Sequence, residues 1–248
     1  MKKIVLGVIT VAVIAIAGLA LMRVNVAPKD VSLEWREVTP ADAPLLESLR
    51  GIFIEAFTPI SKAYYEQRIK GLSEEKRTEA KKRVDESLPK ALMATWDRKM
   101  QLYTTLGDTK GYIGLAKDAQ GEFIGFVLVR EIDVRNVLQK KSLVTPLSEV
   151  DLAVLAPVGK PLDQVFVDVL AVKPGIQKKG LGKKLVLTVL DYCPLIKKIY
   201  LDTPGCEANK NTQGFYEHVG FKQVMKIFVK AESAYECEPK IVYLYQKP

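Results

Sequence analysis

The longest apolar run in the chain is Ile4 to Met22, which carries no charge and follows Lys2 and Lys3. As a helix rising 1.5 Å per residue it would cover roughly 28 Å, close to a hydrocarbon core of about 30 Å and longer than the usual signal-peptide core of about 7–15 residues. The length favours an uncleaved, single-pass membrane anchor. Ala15-Ile16-Ala17 and Gly18-Leu19-Ala20 also place small residues at cleavage-like spacing, so export after removal of a signal peptide is the alternative. Lys2 and Lys3 on one flank nearly balance Arg23, Lys29 and Arg36 on the other, which leaves orientation open. The expected division is 1–23 anchor or signal, 24–30 linker and 31–248 folded domain.

Beyond the linker the periodicity alternates between strand and helix. Val31, Leu33 and Trp35 share one side of a first strand, and Thr39-Pro40-Ala41-Asp42 supplies a helix start. Leu45, Leu46, Leu49, Ile52, Phe53 and Phe57 recur at helical spacing up to Pro59, which is expected to end that element. Residues 62–103 read as one or two exposed amphipathic helices broken near Pro89. Tyr112 to Ala116 and Glu122 to Arg130, joined by a turn-like Lys117-Asp118-Ala119-Gln120-Gly121, predict a hairpin. Gln164 to Val172 is a nearly continuous β-branched run, as a strand covered on both faces requires. A helix from Gly180, a short strand at Ile199 to Asp202, a helix at Asn209 to His218 and a strand pair at Lys222 to Val229 and Lys240 to Tyr245 complete a mixed α/β sheet.

Composition removes several classes. Of 248 residues 48% are hydrophobic, enough for one sizeable core and unlike a disordered chain. The formal charge of +8 is spread among acids, and neither a recognition helix nor an aromatic-rich sheet face accompanies it, so nucleic acid is not an expected partner. One histidine and three separated cysteines, Cys193, Cys206 and Cys237, are too few for a zinc site; no metal is expected, and a single bridge between Cys206 and Cys237 would require export.

The local excess of charge carries the chemistry. Lys173, Lys178, Lys179, Lys183 and Lys184 crowd the turn between the central strand and the next helix, where Gly180 and Gly182 allow close backbone approach. First-turn N–H groups and the positive helix end make that turn an anion cradle. It is not a Walker A loop, because Leu181 follows Gly180 where Lys and a hydroxyl would be needed. Nor is it a dinucleotide fingerprint, because Leu185 stands at the third glycine.

Gln177-Lys178-Lys179-Gly180-Leu181-Gly182 resembles the Q/R-x-x-G-x-G/A acyl-CoA loop of the GNAT superfamily of N-acyltransferases. Asn209 to Phe221, after the strand Ile199-Tyr200-Leu201-Asp202, resembles that family's second element, N-x-x-A-x-x-x-Y-E-x-x-G-F, with Thr212 in place of alanine. The resemblance implies a GNAT-like fold and transfer of an acetyl group from acetyl-CoA to a primary amine, of a small molecule or a protein. It implies that backbone N–H groups of Leu170 and Val172 hold the thioester and pantetheine, with Leu170 stabilising the oxyanion. Gln177, Lys178, Lys179, Gly180, Leu181, Gly182 and Lys183 would hold the pyrophosphate, and Asn209 would contact the cofactor. Tyr216 would be the general acid, its bland alternative being a core aromatic. Asp168 is the nearest candidate base. The two-residue strand period puts it on the face of Leu170 and Val172, with a structural role as the alternative; Glu131 and Asp133 are weaker candidates, and His218 is expected at the surface. A CoA-binding module tethered to the membrane without catalysis is the competing function.

Overall fold

The computed structural model describes residues 31–105, 109–134, 138, 163–227 and 240–247. The readings of the apolar run, of the linker up to Asp30 and of Cys237 and Val229 lie outside these residues. Among the described residues no helix is long and apolar enough to cross a membrane.

Among the described residues seven strands form one sheet: β1 (Ser32–Glu37), β2 (Gly111–Lys117), β3 (Phe123–Arg130), β4 (Gln164–Val172), β5 (Lys198–Pro204), β6 (Lys222–Ile227) and β7 (Lys240–Gln246), in the order β1-β2-β3-β4-β5-β7-β6. Only β4 and β5 run parallel; every other neighbouring pair is antiparallel. The helices are α1 (Ala43–Ser48), α2 (Arg50–Ile69), α3 (Glu74–Thr104), α4 (Leu181–Leu187), α5 (Val189–Tyr192) and α6 (Lys210–Val219).

The sheet's two faces bury different sets. Val165, Val167 and Val172 pack with Leu181, Leu185, Val186, Tyr216 and Val219 on the α4–α6 face. Val169 and Ala171 pack with Phe53, Leu88, Leu92, Trp96 and Tyr103 on the α1–α3 face. Farther along that second face, Phe166, Tyr200 and Val242 meet Ile132, Val134 and Leu138 from the segment after β3. Both faces of β4 are therefore covered, which is why its run contains so few polar residues.

Neither proline breaks its helix. Pro59 lies inside α2 and Pro89 inside α3, contrary to the sequence expectation. Each is exposed, and so is the residue four positions earlier, Glu55 or Asp85, whose lost carbonyl partner water can replace. Burial of Phe53 and Ala56 on α2, and of Leu88 and Leu92 on α3, clamps the helices from the opposite side.

Candidate functional site

The sheet opens between β4 and β5. Their parallel pairing covers Gln164↔Lys198 to Val167↔Leu201 and goes no further, although β4 continues to Val172 and β5 to Pro204. The opening begins where β4 is bulged: Val129 opposes Val167 and Leu128 opposes Val169, leaving Asp168 as the extra residue. A bulge bends its strand and increases the local twist, so the irregularity and the parting of the strands share one position.

The bulge corrects the expected facing of Asp168. Before it the odd residues Val165 and Val167 look toward α4–α6, whereas after it the even residues Leu170 and Val172 do. Asp168 points the other way. Its carboxylate receives Arg130 through Nε to Oδ2 at 2.6 Å and Nη2 to Oδ1 at 2.7 Å, and the Tyr103 hydroxyl donates to Oδ2 at 2.9 Å. The strict two-residue period failed because one residue was inserted into the ladder.

Peptide directions along the open edge follow from two hydrogen bonds. Lys173 N–H donates to the Ile124 carbonyl on the β3 side, and Gln177 Nε2 donates to the Val172 carbonyl. Alternation along the strand then turns the N–H and C=O of Leu170 and Val172 away from β3, toward the gap. Gln177 shapes the turn with its side-chain amide.

The turn itself is built for backbone exposure. Lys178 (φ 64°) and Gly180 (φ 79°) both take left-handed conformations, and Gly180 precedes α4. The first backbone bond there runs from Lys184 N–H to the Gly180 carbonyl, so the N–H groups of Leu181, Gly182 and Lys183 have no acceptor within the helix. Leu181 anchors the turn by burying its side chain, while Lys178 and Lys183 are exposed and Lys179 is half-buried. A Cβ on Gly182 would lie 3.2 Å from Phe215 Cζ, so this glycine lets α4 and α6 close together.

On the β5 side, Asn209 is buried, and its Nδ2 donates to Thr203 Oγ1 at 2.6 Å and to the Pro204 carbonyl at 2.9 Å. Gln213 Nε2 also donates to Pro204, at 2.9 Å. These amides fasten the end of β5, and both Asn209 amide protons are spent on Thr203 and the Pro204 carbonyl.

Tyr216 stacks among Phe215, Phe221 and Tyr243 with ring centroids 5.1 to 6.0 Å away. Burial first, then the charge of Asp202, pushes its pKa above the ordinary tyrosine value, which keeps the hydroxyl protonated. Asp202 is the first β5 residue past the last β4–β5 pair and lies opposite Val242, so it faces the side bearing α1–α3. The gap thus has Tyr216 on one side of the sheet and Asp202 near the other. Sequence reasoning missed Asp202, Arg130, Tyr103 and Lys99. Its available signal was that Asp168 and Asp202 each interrupt an apolar strand, where a buried carboxylate needs a partner or a task.

Glu131 lies at the opposite end of the sheet from the turn, accepting from the Tyr112 hydroxyl at 2.5 Å. His218 is exposed, as expected. Cys206 is disulfide-bonded and Cys193 is free. Among the described residues no group of acids, histidines and cysteines gathers to hold a metal.

A parallel strand pair parts at Val167 with the Leu170 and Val172 peptides turned into the opening, beside a lysine-rich turn at a helix start. The acetyltransferase (GNAT) family profile matches residues 77–221, more than half of the chain, and the chain belongs to that family of acetyl-CoA-dependent N-acetyltransferases. A Staphylococcus epidermidis ATCC 12228 protein described as a probable acetyltransferase is 11% identical, with a TM-score of 0.50 over 88% of this chain and 100% of its own. NAA60 of Arabidopsis thaliana, solved with acetyl-CoA, is 18% identical over 87% of this chain and 98% of its own, with a TM-score of 0.45. The spermidine/spermine N-acetyltransferase SpeG of Vibrio cholerae is 15% identical over 87% and 95%, with a TM-score of 0.43. No curated protein sequence matches the chain.

Proposed function

We propose that this enzyme moves an acetyl group from acetyl-CoA directly to a primary amine across the β4–β5 gap. The observation that carries the reading is the end of β4–β5 pairing at Val167, with the Leu170 and Val172 peptides turned into the opening. The pyrophosphate sits on the N–H groups of Leu181, Gly182 and Lys183, with Lys178, Lys179 and Lys183 around it. Gly180 gives the turn its left-handed step. The pantetheine arm then follows the open edge of β4 past Val172 to Leu170.

The amine enters from the α1–α3 side and attacks the thioester carbon. A C–N bond forms, the carbonyl electrons move to oxygen, and the Leu170 N–H stabilises that oxyanion. Collapse breaks the C–S bond, Tyr216 protonates the departing thiolate, and the proton that the attacking nitrogen loses as the amide forms restores the Tyr216 hydroxyl. An acceptor arrives as an ammonium and must first lose a proton. Asp202 is the candidate for that step because it is the first β5 residue past the last β4–β5 pair and faces the α1–α3 side; Asp168 is held by Arg130 and Tyr103. Asp168 instead shapes the strand.

Calorimetric titration of the full chain with CoA, followed by a labelled acetyl-CoA screen across amines, tests this. Micromolar binding with transfer to at least one amine is expected; binding with no transfer to any amine would instead favour the non-catalytic CoA module, and no binding would remove both.

For location, we propose that Ile4 to Met22 anchors the chain in a membrane as a single pass or, alternatively, directs export and is removed as a signal peptide. The disulfide at Cys206 favours placing the domain on an oxidising side, where such bonds persist. Acetyl-CoA would then have to be supplied there. Protease protection in intact cells, with thiol alkylation before and after reduction, checks both points.

A further inference from the structure

Among the described residues, the side chains that hydrogen-bond the bulged residue come from two elements, β3 and α3. Arg130, the last residue of β3, grips the Asp168 carboxylate with two nitrogens, and the pair is nearly buried at 13% and 4% side-chain exposure. Tyr103 donates to the same carboxylate from α3 and lies 6.0 Å from the Arg130 guanidinium across its ring. Lys99, one helical turn before Tyr103, donates Nζ to the Asp168 backbone carbonyl at 2.9 Å. Charge, ring and carbonyl are thus fixed together at the residue that the β3–β4 ladder skips between Val167 and Val169.

We infer that Arg130, Tyr103 and Lys99 are positioning residues that set the Asp168 bulge, and through it the direction in which the Leu170 peptide enters the gap. The inference deepens the proposed acetyl transfer and rests on it. Three observations meet at the bulge. The β3–β4 register shifts there, β4–β5 pairing stops one residue before it, and the side-chain parity of β4 reverses across it so that Leu170 and Val172 join the α4–α6 face. A buried Asp in an apolar strand is costly unless paired and hydrogen-bonded. The strand keeps this one where an extra residue must be held out of the ladder. Because α3 supplies two of the three clamps, the helix that packs over the acceptor side also aligns the oxyanion donor.

A purely stabilising cluster and a positioning one differ in how rate, cofactor affinity and stability respond. The pyrophosphate turn shares no residue with the cluster, so CoA affinity reports the turn, whereas kcat reports alignment of the thioester at Leu170. Tyr103→Phe removes one hydroxyl and keeps the ring. It should leave CoA affinity within about two-fold and lower the unfolding temperature only modestly, Arg130 still holding both carboxylate oxygens, while kcat falls about 10-fold or more, since a small misplacement of reacting atoms costs up to about 100-fold. Lys99→Met should behave likewise. Arg130→Met alone strands a buried carboxylate, so its fold is at risk; the pair Arg130→Met with Asp168→Leu removes both charges and should recover the unfolding temperature without recovering kcat. A paired variant with wild-type kcat, or rate losses that track the unfolding temperature through the series, overturns the inference. A wild-type protein that binds no CoA instead defeats the underlying reading of the site, and wild-type turnover with an unaffected Tyr103→Phe defeats only the positioning role.

Discussion

Phe215 lies against Gly182 so closely that a methyl group on the glycine would come within 3.2 Å of Cζ. The contact joins the start of α4 to the middle of α6, the two helices that flank the proposed cofactor groove. Gly182→Ala must push the ring by a few tenths of an ångström and widen or tilt that groove. CoA affinity should fall by up to about 10-fold, at most about 1.4 kcal/mol, with secondary structure retained. Adding Phe215→Leu should return part of it, as read by calorimetric titration of both variants.

Gly180 tests a different property at the same turn. Nothing would obstruct a side chain there, yet its φ of 79° is left-handed. Gly180→Ala should cost about 1–2 kcal/mol through backbone strain, whereas Gly180→Asn, a residue that visits this region, should cost less. Chemical denaturation of the two variants gives the comparison.

Removing the Tyr216 hydroxyl separates its two readings. Tyr216→Phe keeps the aromatic cluster with Phe221 and Tyr243, so a core role predicts unchanged turnover. A general acid predicts kcat lower by about 10²-fold or more with CoA affinity kept. Asp202→Asn should lower kcat comparably and abolish the acid limb of the pH–rate profile, because the wild-type carboxylate must be ionised to accept the ammonium proton. A wild-type acid limb in Asp202→Asn would assign the proton to another group.

Asn209 stabilises the strand end. Asn209→Ala takes two donors from Thr203 and the Pro204 carbonyl. The unpaired buried partners should cost about 1–3 kcal/mol, visible as a lower denaturation midpoint. If Asn209 acts through β5 alone, CoA affinity at temperatures well below unfolding should change little.

Alkaline stability follows from the buried phenols. Burial raises the pKa of Tyr103, Tyr112 and Tyr216, and burial with the hydrogen bond to Glu217 pushes Tyr243 up to about 12. An unfolded tyrosine ionises near pH 10. Above that pH the folded state holds more protons than the unfolded one, so stability is fully present below about pH 10 and declines as pH climbs through the folded values. Denaturation midpoints between pH 8 and 12 should show the fall, and Tyr103→Phe should make it shallower.

Much of this fold could be read from local pattern. The hairpin of β2 and β3 announced itself through alternation and turn composition, and β4 through its β-branched run, because period and burial are properties of consecutive residues. The glycine-lysine turn was equally legible, since its function depends on backbone conformation that Gly180 makes accessible. The helix ends at Pro59 and Pro89 were misread, because whether a lost hydrogen bond matters depends on what water can reach on that side of the helix. Asp168 was misplaced by a single inserted residue, and Asp202 passed unnoticed because its relevance lies in where β4 stops pairing.

The sequence by itself determined that a buried strand leads into a glycine-lysine turn at a helix start, the pattern on which the proposed anion site rests, since both are written within about twenty residues by side-chain size, branching and charge. Only the tertiary structure decided that Asp168 is locked to Arg130 and Tyr103 and that Asp202 lies just past the last β4–β5 pair. Arg130, Tyr103 and Lys99 reach Asp168 from 38 to 69 positions away in the chain, and a contact made by packing helix and strand together leaves no periodic trace in either segment.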